Sequence, residues 1–428
     1  MEIPFKRANI LLPKKNVDMS KWSVVACDQY TSEPEYWKEV AEIVGKEPST
    51  LNLVLPEVYL EENDVSERIK KINENMKNLL KDNFFDEHKE SLIYLERTQA
   101  DGTVRKGIVG VIDLEEYSYE KGSQSLVRTT EGTILERIPP RIRVRENAEL
   151  ELPHIMLLID DRKKEIIEDI TNKVEENDKV YDFDLMKKGG HIKGYKLNDK
   201  IMQEVMNKLE KLTDKKYFEE KYDVKDKGVL LFSVGDGNHS LATAKTWYEN
   251  LKKTLPKEEY ENHPARYALV EVVNIHSDAL KFEPIHRVLF DVNVENVLEQ
   301  LNKYYEISEK SDGGQKVKYI CKGKEGEFYI KNPKANIPVG SMQIFIDEYL
   351  KENGGKIDYI HGDDITRELA SKEGNIGFIF EGIEKEELFK TIILDGALPR
   401  KTFSMGHSYD KRYYLESRKI RENVNTPS

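Results

Sequence analysis

Cysteine is scarce in this chain, and long apolar runs are missing. Cys27 and Cys321 are the only cysteines among 428 residues and lie far apart, which excludes a disulfide framework and paired zinc-binding motifs. The longest apolar runs, such as residues 155–159, are much shorter than a membrane span. Residues 1–16 contain basic side chains but no long apolar stretch, so no signal peptide is visible. These absences predict a soluble cytoplasmic protein without a membrane partner.

Basic residues are fewer than acidic residues in this chain. The chain has 67 Lys and Arg against 79 Asp and Glu, which gives a net charge of −12. A protein that grips long nucleic acid normally carries a positive stripe, so we expect no nucleic-acid partner, although single arginines can still bind small anions. The hydrophobic share of 38% is enough for a core, and the length predicts one large domain or two intertwined domains.

Several catalytic motifs are absent. The chain contains neither the G-x-x-x-x-G-K-[ST] phosphate loop nor the G-x-S-x-G nucleophile elbow. Its nine histidines show no spacing that by itself defines a metal site. The sequence therefore carries the signature neither of a P-loop nucleotide-binding protein nor of a hydrolase of the nucleophile-elbow type.

Residues 230–241 combine a strand pattern, a glycine turn and a helix start. Gly235 and Gly237 permit positive φ and close backbone approach. Asn238 is a good helix N-cap, and apolar residues follow it at helical spacing. A helix N-terminus suits phosphate because it offers backbone N–H groups and the positive end of a dipole, and Asp236 beside it could hold a metal or a proton. The alternative interpretation is a capped turn that binds nothing.

Strand and helix patterns alternate along the whole chain. They predict strands over 23–27, 91–95, 106–114, 155–159, 228–234, 267–275 and 286–290, and helices over 34–44, 65–80, 162–176, 200–222 and 238–252. From residue 292 onward short strands and helices alternate again, which predicts a second, smaller α+β lobe over 291–390. The first lobe is expected to comprise 1–290, joined by residues 391–428.

An early acidic segment is a candidate for proton transfer. Asp28 and Glu33 follow a predicted strand, and Glu33 precedes Pro34, which can open a helix. A general base must be a carboxylate held by rigid elements near the substrate proton, and Glu33 is slightly favoured over Asp28 for that role. The alternative is that Glu33 only stabilises the helix dipole.

Arginines are the candidate anion ligands, because guanidinium groups bind phosphate bidentately and stay charged. Arg141, Arg143 and Arg145 would lie on one face if this segment were a strand. The alternative is that they pair with neighbouring glutamates. Further candidates are Arg128, Arg287 next to His286, and the basic pair Arg400 and Lys401 near the C-terminus.

The Asp-Gly-x-His turn made by Asp236, Gly237 and His239 resembles the hallmark of the ParB/sulfiredoxin-like superfamily. The chain as a whole resembles the bacterial and archaeal family called domain of unknown function 1015, in which the turn usually reads Asp-Gly-His-His-Arg. Asn238 and Ser240 stand where His and Arg are usual. Other segments follow the family's order, namely residues 27–33, 97–102, 128–131, 284–289 and 398–402.

This resemblance implies an α+β fold with a ParB/sulfiredoxin-like mixed sheet core. It also implies a phosphotransferase that uses ATP or ADP and Mg²⁺, with L-serine as the leading acceptor, because the superfamily contains a free serine kinase. Glu33, Asp236 and His239 would be catalytic, and Asp236 would also hold the metal. Substrate or nucleotide would contact Asp28, Gly237, Asn238, Ser240, Arg128, Arg141, His286, Arg287, Arg400 and Lys401.

Other function classes stay open at this stage. A non-catalytic module that senses a nucleotide or metabolite would use the same residues. A nuclease is disfavoured by the acidic charge balance. Sulfiredoxin chemistry requires a cysteine in the glycine turn, and this turn has none.

Overall fold

Strands and helices alternate over residues 2–421, which the computed structural model describes. The strands are β1 (Phe5–Lys6), β2 (Ala8–Pro13), β3 (Phe85–Ser91), β4 (Ile93–Thr98), β5 (Val104–Asp113), β6 (Tyr117–Ser118), β7 (Val127–Thr129), β8 (Leu150–Glu151), β9 (Met156–Ile159), β10 (Lys179–Leu185), β11 (Gly190–Lys196), β12 (Phe232–Asp236), β13 (Tyr267–Asn274), β14 (Phe282–Phe290), β15 (Ile307–Ser308), β16 (Gln315–Cys321), β17 (Lys324–Ile330), β18 (Lys356–His361), β19 (Ile376–Ile379), β20 (Phe403–Met405) and β21 (Arg418–Lys419). The helices are α1 (Met19–Trp22), α2 (Pro34–Val44), α3 (Val65–Lys81), α4 (Ile138–Arg145), α5 (Asp199–Leu212), α6 (Lys215–Tyr222), α7 (Asn238–Lys252), α8 (Lys257–Asn262), α9 (Val294–Tyr304), α10 (Pro338–Asn353), α11 (Asp363–Ala370) and α12 (Lys385–Asp395). The α+β class expected from the sequence is confirmed.

Two structural units divide the chain. The first contains the described parts of residues 1–129, 133–280 and 407–428, and the second contains residues 130–132 and 281–406. The second unit thus begins at Lys281 rather than at residue 291, because β14 pairs with β18, β19 and β20 of that unit.

A large mixed sheet organises the first unit. Its strand order is β10-β11-β4-β5-β13-β9-β12-β7-β6, and β1 pairs with β5. The central strand β9 is entirely apolar and buried, and most residues of its neighbours β12 and β13 are buried as well. β12 runs parallel to β7 and antiparallel to β9. The end of β12 therefore lies beside the start of β9, where Asp236 is opposite Met156.

The second unit contains its own antiparallel sheet. The strand order is β15-β17-β16-β19-β14-β18, and β20 pairs with β14. Helices α9 to α12 belong to this unit, and each has buried apolar residues. Residues 130–132 join it through a bridge between Glu131 and Leu398.

Two predicted helices differ from those in the structure because local hydrogen bonds favour other backbone conformations. The predicted helix over 162–176 is wrong, since only a 3₁₀ helix at Glu168–Asn172 forms there. The Asp161 carboxylate accepts the backbone N–H groups of Glu165 and Ile166 at 2.8 Å, which favours a turn over a helix. The predicted helix over 200–222 is divided into α5 and α6, because Asp214 caps the second helix by accepting the N–H of Tyr217 at 2.8 Å.

The predicted strand over 23–27 forms only an isolated bridge, between Val25 and Tyr413. Within residues 2–421, no helix combines the length and the apolar character that a bilayer crossing requires.

Candidate functional site

The glycine turn between β12 and α7 requires glycine at two positions. Gly237 has φ +80°, and a Cβ atom there would lie 3.0 Å from Cα of Ile155. A Cβ atom at Gly235 would lie 2.8 Å from Cγ of Leu158. Residues with side chains would therefore strain or displace the backbone, and the turn stays tight against β9.

Helix α7 starts without a side-chain cap. Gly237, not Asn238, is the N-cap, and no side chain of the described residues caps this helix start. The expectation that Asn238 caps the helix is wrong because its Oδ1 atom instead accepts the hydroxyl of Thr129 at 2.8 Å. Uncapped N–H groups at the start of a 15-residue helix carry a partial positive charge, so this end of α7 favours an anion.

Asp236 already has partners on both carboxylate oxygens. Its Oδ1 atom accepts the N–H of Gly237 at 2.9 Å, and its Oδ2 atom lies 3.5 Å from Nζ of Lys411. Within the described residues there is no group of three or more His, Cys, Asp and Glu side chains that could hold a metal ion. Asp236 is therefore not part of a cluster of protein ligands that could hold a metal ion by itself among residues 2–421.

Asp28, His154 and Ser240 form a chain of polar contacts at the turn. Nε2 of His154 lies 3.4 Å from Oδ2 of Asp28 and 3.2 Å from Oγ of Ser240. Nδ1 of the same ring lies 2.9 Å from Oη of Tyr414. Tyr414 also accepts the backbone N–H of Cys27 at 3.0 Å, so it links the imidazole to the segment that carries Asp28.

Electrostatics makes Asp28 and His154 a buried ion pair. Burial disfavours the charged imidazole, but Asp28, Asp236 and Glu57 outweigh it and raise the pKa of His154 above its usual value. Burial acts to raise the pKa of Asp28, but His154, together with Gln29 and Lys411, lowers it well below its usual range. The carboxylate and the imidazolium stabilise each other's charged forms.

A second pair, Arg141 and Glu57, lies near His239. The Arg141 guanidinium donates to Oε1 of Glu57 and to the carbonyl of Arg137. Burial, Arg141 and Arg137 lower the pKa of His239 to about 4, so its imidazole is neutral at pH 7. Its Nε2 atom accepts the backbone N–H of Ile134 at 3.4 Å.

The three arginines of segment 141–145 diverge instead of sharing one face. The strand spacing that would put them on one face does not occur, because the segment is helix α4, which has proline in its first turn. Arg141 reaches Glu57, Arg143 donates to Ser66 at 3.0 Å, and Arg145 donates to Glu151 at 2.7 Å. Of these three arginines, only Arg141 is close enough to affect the charge of His239.

Arg128 is directed away from the turn. Its guanidinium is buried and donates to the backbone carbonyls of Ser125, Gly228 and Val229 at 2.7, 2.6 and 3.2 Å. Alternation along β7 places Thr129, and not Arg128, on the side of Asn238. Arg128 therefore holds the loops before β7 and β12 together and is not aimed at a ligand of the turn.

Glu33 occupies the N-cap position of α2 but makes no side-chain cap bond. Its carboxylate is exposed, in contrast to that of Asp28. Burial raises the pKa of Tyr30, and Glu33, Tyr409 and Asp410 raise it further. Glu33, Tyr409 and Asp410 are thus all close enough to Tyr30 to affect its charge.

The second unit brings four of the expected residues together. Nε2 of His286 lies 2.9 Å from Oδ1 of Asp363, and its Nδ1 accepts the N–H of Phe380 at 3.2 Å. Arg287 is fully buried and donates to Gln343 and to three backbone carbonyls, those of Ile285, Arg400 and Lys401. With its donors used in this way, Arg287 holds the 400–401 segment and does not present a charge to a ligand.

Arg400 and Lys401 themselves are exposed. The Arg400 guanidinium contacts Tyr359 and Asp347, and Nζ of Lys401 lies 5.2 Å from the centre of the Tyr359 ring. Burial raises the pKa of Glu131, while the backbone N–H groups of Lys401 and Thr402 act to lower it. The backbone N–H groups of Lys401 and Thr402 are therefore directed to a carboxylate of this chain, that of Glu131.

Four residues at the turn were missed by the sequence reasoning, namely Glu57, His154, Lys411 and Tyr414. His154 directly precedes the apolar run of β9, so its position at a strand start was a usable signal. Lys411 and Tyr414 lie in a tyrosine-rich segment near the C-terminus, and nothing local indicates their partners.

The arrangement at the turn balances charge. The carboxylates of Asp28, Asp236 and Glu57 face the basic side chains of His154, Lys411 and Arg141 as pairs. An incoming anion can compete with a carboxylate for a cation while the start of α7 supplies N–H donors. The neutral imidazole of His239 lies beside it, as do the hydroxyl groups of Thr129 and Ser240, which bond to Asn238 and His154.

Comparisons with known proteins give one family match. The family model described as a protein of unknown function (DUF1015) matches residues 8–350. Among curated proteins, no match was found.

Similar solved structures include a free serine kinase in complex with AMP (13% identity, TM-score 0.37, 73% of this chain and 90% of that chain). They also include a variant free serine kinase in complex with ADP (12% identity, TM-score 0.38, 73% and 91%). A conserved hypothetical protein from Pyrococcus furiosus is similar as well (11% identity, TM-score 0.34, 73% and 94%).

Proposed function

The chain belongs to the DUF1015 family of proteins of unknown function, and we propose that it is a phosphotransferase acting on a small metabolite. The phosphoryl group comes from ATP or ADP and goes to a hydroxyl group, with L-serine as the leading acceptor. The observation that carries this proposal is the uncapped start of α7 beside two ion pairs, Asp28–His154 and Asp236–Lys411. Phosphoryl transfer mainly needs positioning and charge neutralisation, and this arrangement supplies both.

The start of α7 and two cations bind the phosphate in this proposal. The backbone N–H groups after Gly237 contact phosphate oxygens, and Lys411 and Arg141 turn from their carboxylate partners toward the phosphate. His239 contributes a hydrogen bond and no charge, because it is neutral at pH 7. No step of this proposal is routed through a protein-bound metal, since Asp236 does not belong to a cluster of three or more such ligands among residues 2–421.

Glu33 accepts the proton of the acceptor hydroxyl. The hydroxyl oxygen forms a bond to the terminal phosphorus, the bond from that phosphorus to the bridging oxygen breaks, and ADP or AMP leaves with the bridging oxygen. Asp28 is a poor base because its ion pair with His154 keeps its pKa low, so it orients His154 and Ser240 instead. Glu33 has no such partner holding its side chain at the helix cap.

Phosphorus NMR tests the proposal. Purified protein is incubated with ATP or ADP in Mg²⁺ buffer, with L-serine, with a pool of other hydroxy metabolites, or with no acceptor. We expect a new phosphomonoester signal and loss of the terminal phosphate signal, both absent in Asp236→Asn. Nucleotide binding without any acceptor-dependent turnover would overturn the kinase proposal and favour the sensing module.

A further inference from the structure

The segment that carries Lys411 is a tight 3₁₀ turn at Ser408–Asp410. Asp410 closes the turn, because its carboxylate accepts the N–H of His407 at 3.0 Å and its own N–H donates to the carbonyl of His407 at 3.0 Å. In such a turn the last carbonyl groups point the same way and lack partners within the turn. Those carbonyls determine where Lys411 can lie.

Two buried arginines donate hydrogen bonds to these carbonyl groups. Arg97 donates to the carbonyls of Tyr409, Asp410 and Lys411, and Arg105 donates to that of Asp410 at 2.9 Å. Arg97 also donates through Nε to the carbonyl of Gly189 at 3.1 Å. The two arginines therefore connect the strands β4 and β5 of the sheet to the backbone of residues 409–411.

This placement of two cations is costly for folding. Arg97 and Arg105 are directly opposite each other on β4 and β5, and they are only 1% and 2% exposed. Like charges opposite each other in a sheet are destabilising, and buried cations need compensation. Burial, together with Arg105, lowers the pKa of Arg97 to about 9.

Carboxylates compensate the buried charges of Arg97 and Arg105 only in part. Nε of Arg105 lies 3.6 Å from Oε1 of Glu271, and neither atom has a hydrogen-bond partner. The other oxygen of Glu271 accepts from Arg412 at 2.7 Å, so one carboxylate is shared by two arginines. Carbonyl oxygens of 409–411 therefore provide much of the stabilisation for Arg97 and Arg105.

We propose that Arg97 and Arg105 are positioning residues that hold Lys411 at Asp236. The inference rests on the proposed function, in which Lys411 contacts the transferred phosphate. Both arginines act through the backbone of 409–411, and their side chains do not contact the substrate. The carbonyls fix the Lys411 backbone, so its ammonium stays 3.5 Å from the Asp236 carboxylate. A lysine in place of Arg97 carries the charge but lacks the planar fork of N–H donors with which the guanidinium reaches three carbonyls.

Chemical labelling of Lys411 tests the positioning without using any activity. The full chain is treated with limiting acetic anhydride, and acetylation of Lys411 is compared with that of the exposed Lys89 by mass spectrometry. We expect Arg97→Lys and Arg105→Lys to raise the relative rate at Lys411 by about threefold or more, because the ammonium leaves its carboxylate partner. Arg418→Lys is the matched control, since Arg418 is buried in the same unit and donates to the carbonyls of Pro264 and Tyr267.

Unchanged labelling of Lys411 in both folded variants would overturn the proposal, as would an equal rise in Arg418→Lys. If phosphoryl transfer fails but the labelling changes as expected, the positioning stands and only the proposed function is lost. Where turnover is found, a double-mutant cycle adds a second readout. Arg97→Lys should lower kcat in the wild-type background by about tenfold and have little effect in Lys411→Ala, because its effect passes through Lys411. Equal losses in both backgrounds would assign Arg97 a structural role only.

Discussion

His154 and Asp28 form an ion pair inside the first unit, with Nε2 of the imidazole 3.4 Å from Oδ2 of the carboxylate. The imidazole is only 4% exposed, so removing either partner leaves a poorly solvated charge. The pair joins the early acidic segment to the start of α7, because the same Nε2 atom lies 3.2 Å from Oγ of Ser240. The protonation of this pair therefore affects both the free energy of unfolding and the hydrogen bonding of Ser240 in the candidate site.

The first prediction concerns the pH dependence of this pair. The lowered pKa of Asp28 gives stability above its unfolded pKa of about 3.9, which is lost as the pH falls through the folded value. The raised pKa of His154 gives stability below its unfolded pKa of about 6.5, which is lost as the pH rises through the folded value. Asp28→Asn should therefore cost about 2 kcal/mol in urea unfolding at pH 5.5 and clearly less at pH 9. In a His154→Gln background the cost should no longer depend on pH, and an undiminished dependence there would contradict the pairing.

The second prediction concerns the charge of His239. Because burial and two guanidinium groups lower its pKa to about 4, its ring signals should not shift between pH 5.5 and pH 8 in proton NMR. The signals are assigned by their loss in His239→Gln. Titration near pH 6.5 would show that the imidazole is solvated and that Arg141 is not close to it.

The third prediction separates backbone strain from steric contact at the turn. Gly237→Ala should destabilise the protein by about 2–3 kcal/mol, because its φ is positive and the new Cβ would lie 3.0 Å from Cα of Ile155. Gly122→Ala is the control, since Gly122 has φ +82° with nothing within 4 Å of a new Cβ. It should cost only about 1 kcal/mol in the same denaturant titration. Equal costs at both positions would mean that the contact with Ile155 adds nothing to the cost of the positive φ at Gly237.

The fourth prediction concerns catalysis at the turn. Asp236→Asn and His239→Ala should each reduce turnover by about a hundredfold or more while the melting temperature changes by only a few degrees, because neither side chain fills the core. Phosphorus NMR measures turnover and calorimetry measures melting. A large loss of stability with activity retained would restore the interpretation of a structural turn.

The fifth prediction concerns polyanions. The protein should bind ATP or ADP but show no salt-sensitive affinity for duplex DNA, since its net charge of −12 opposes a polyanion. Fluorescence anisotropy between about 50 and 200 mM salt measures both ligands. Tight DNA binding that weakens steeply with salt would favour the nuclease alternative.

Local sequence was sufficient for the turn and for helix α7. Glycine at 235 and 237 and the spacing of the apolar residues after Ser240 predict a strand, a turn and a helix over 238–252, and the structure confirms this order and the span Asn238–Lys252. Strand β12 ends at Asp236, two residues after the predicted end. The prediction succeeded because backbone conformation at a glycine and amphipathic periodicity depend on neighbouring residues. The acidic charge balance and the scarcity of cysteine were equally readable from composition.

Partners of the charged side chains were decided only by the tertiary structure. Arg128 and Arg287 resemble anion ligands in sequence, but burial directs them to backbone carbonyls. Asp28 meets His154 and Asp236 meets Lys411 across more than a hundred residues, and no local pattern encodes such pairs. The physical reason is that a buried charge must be compensated by whatever group the fold brings beside it. The sequence by itself determined where the backbone turns, and the fold determined which charges are left facing the start of α7.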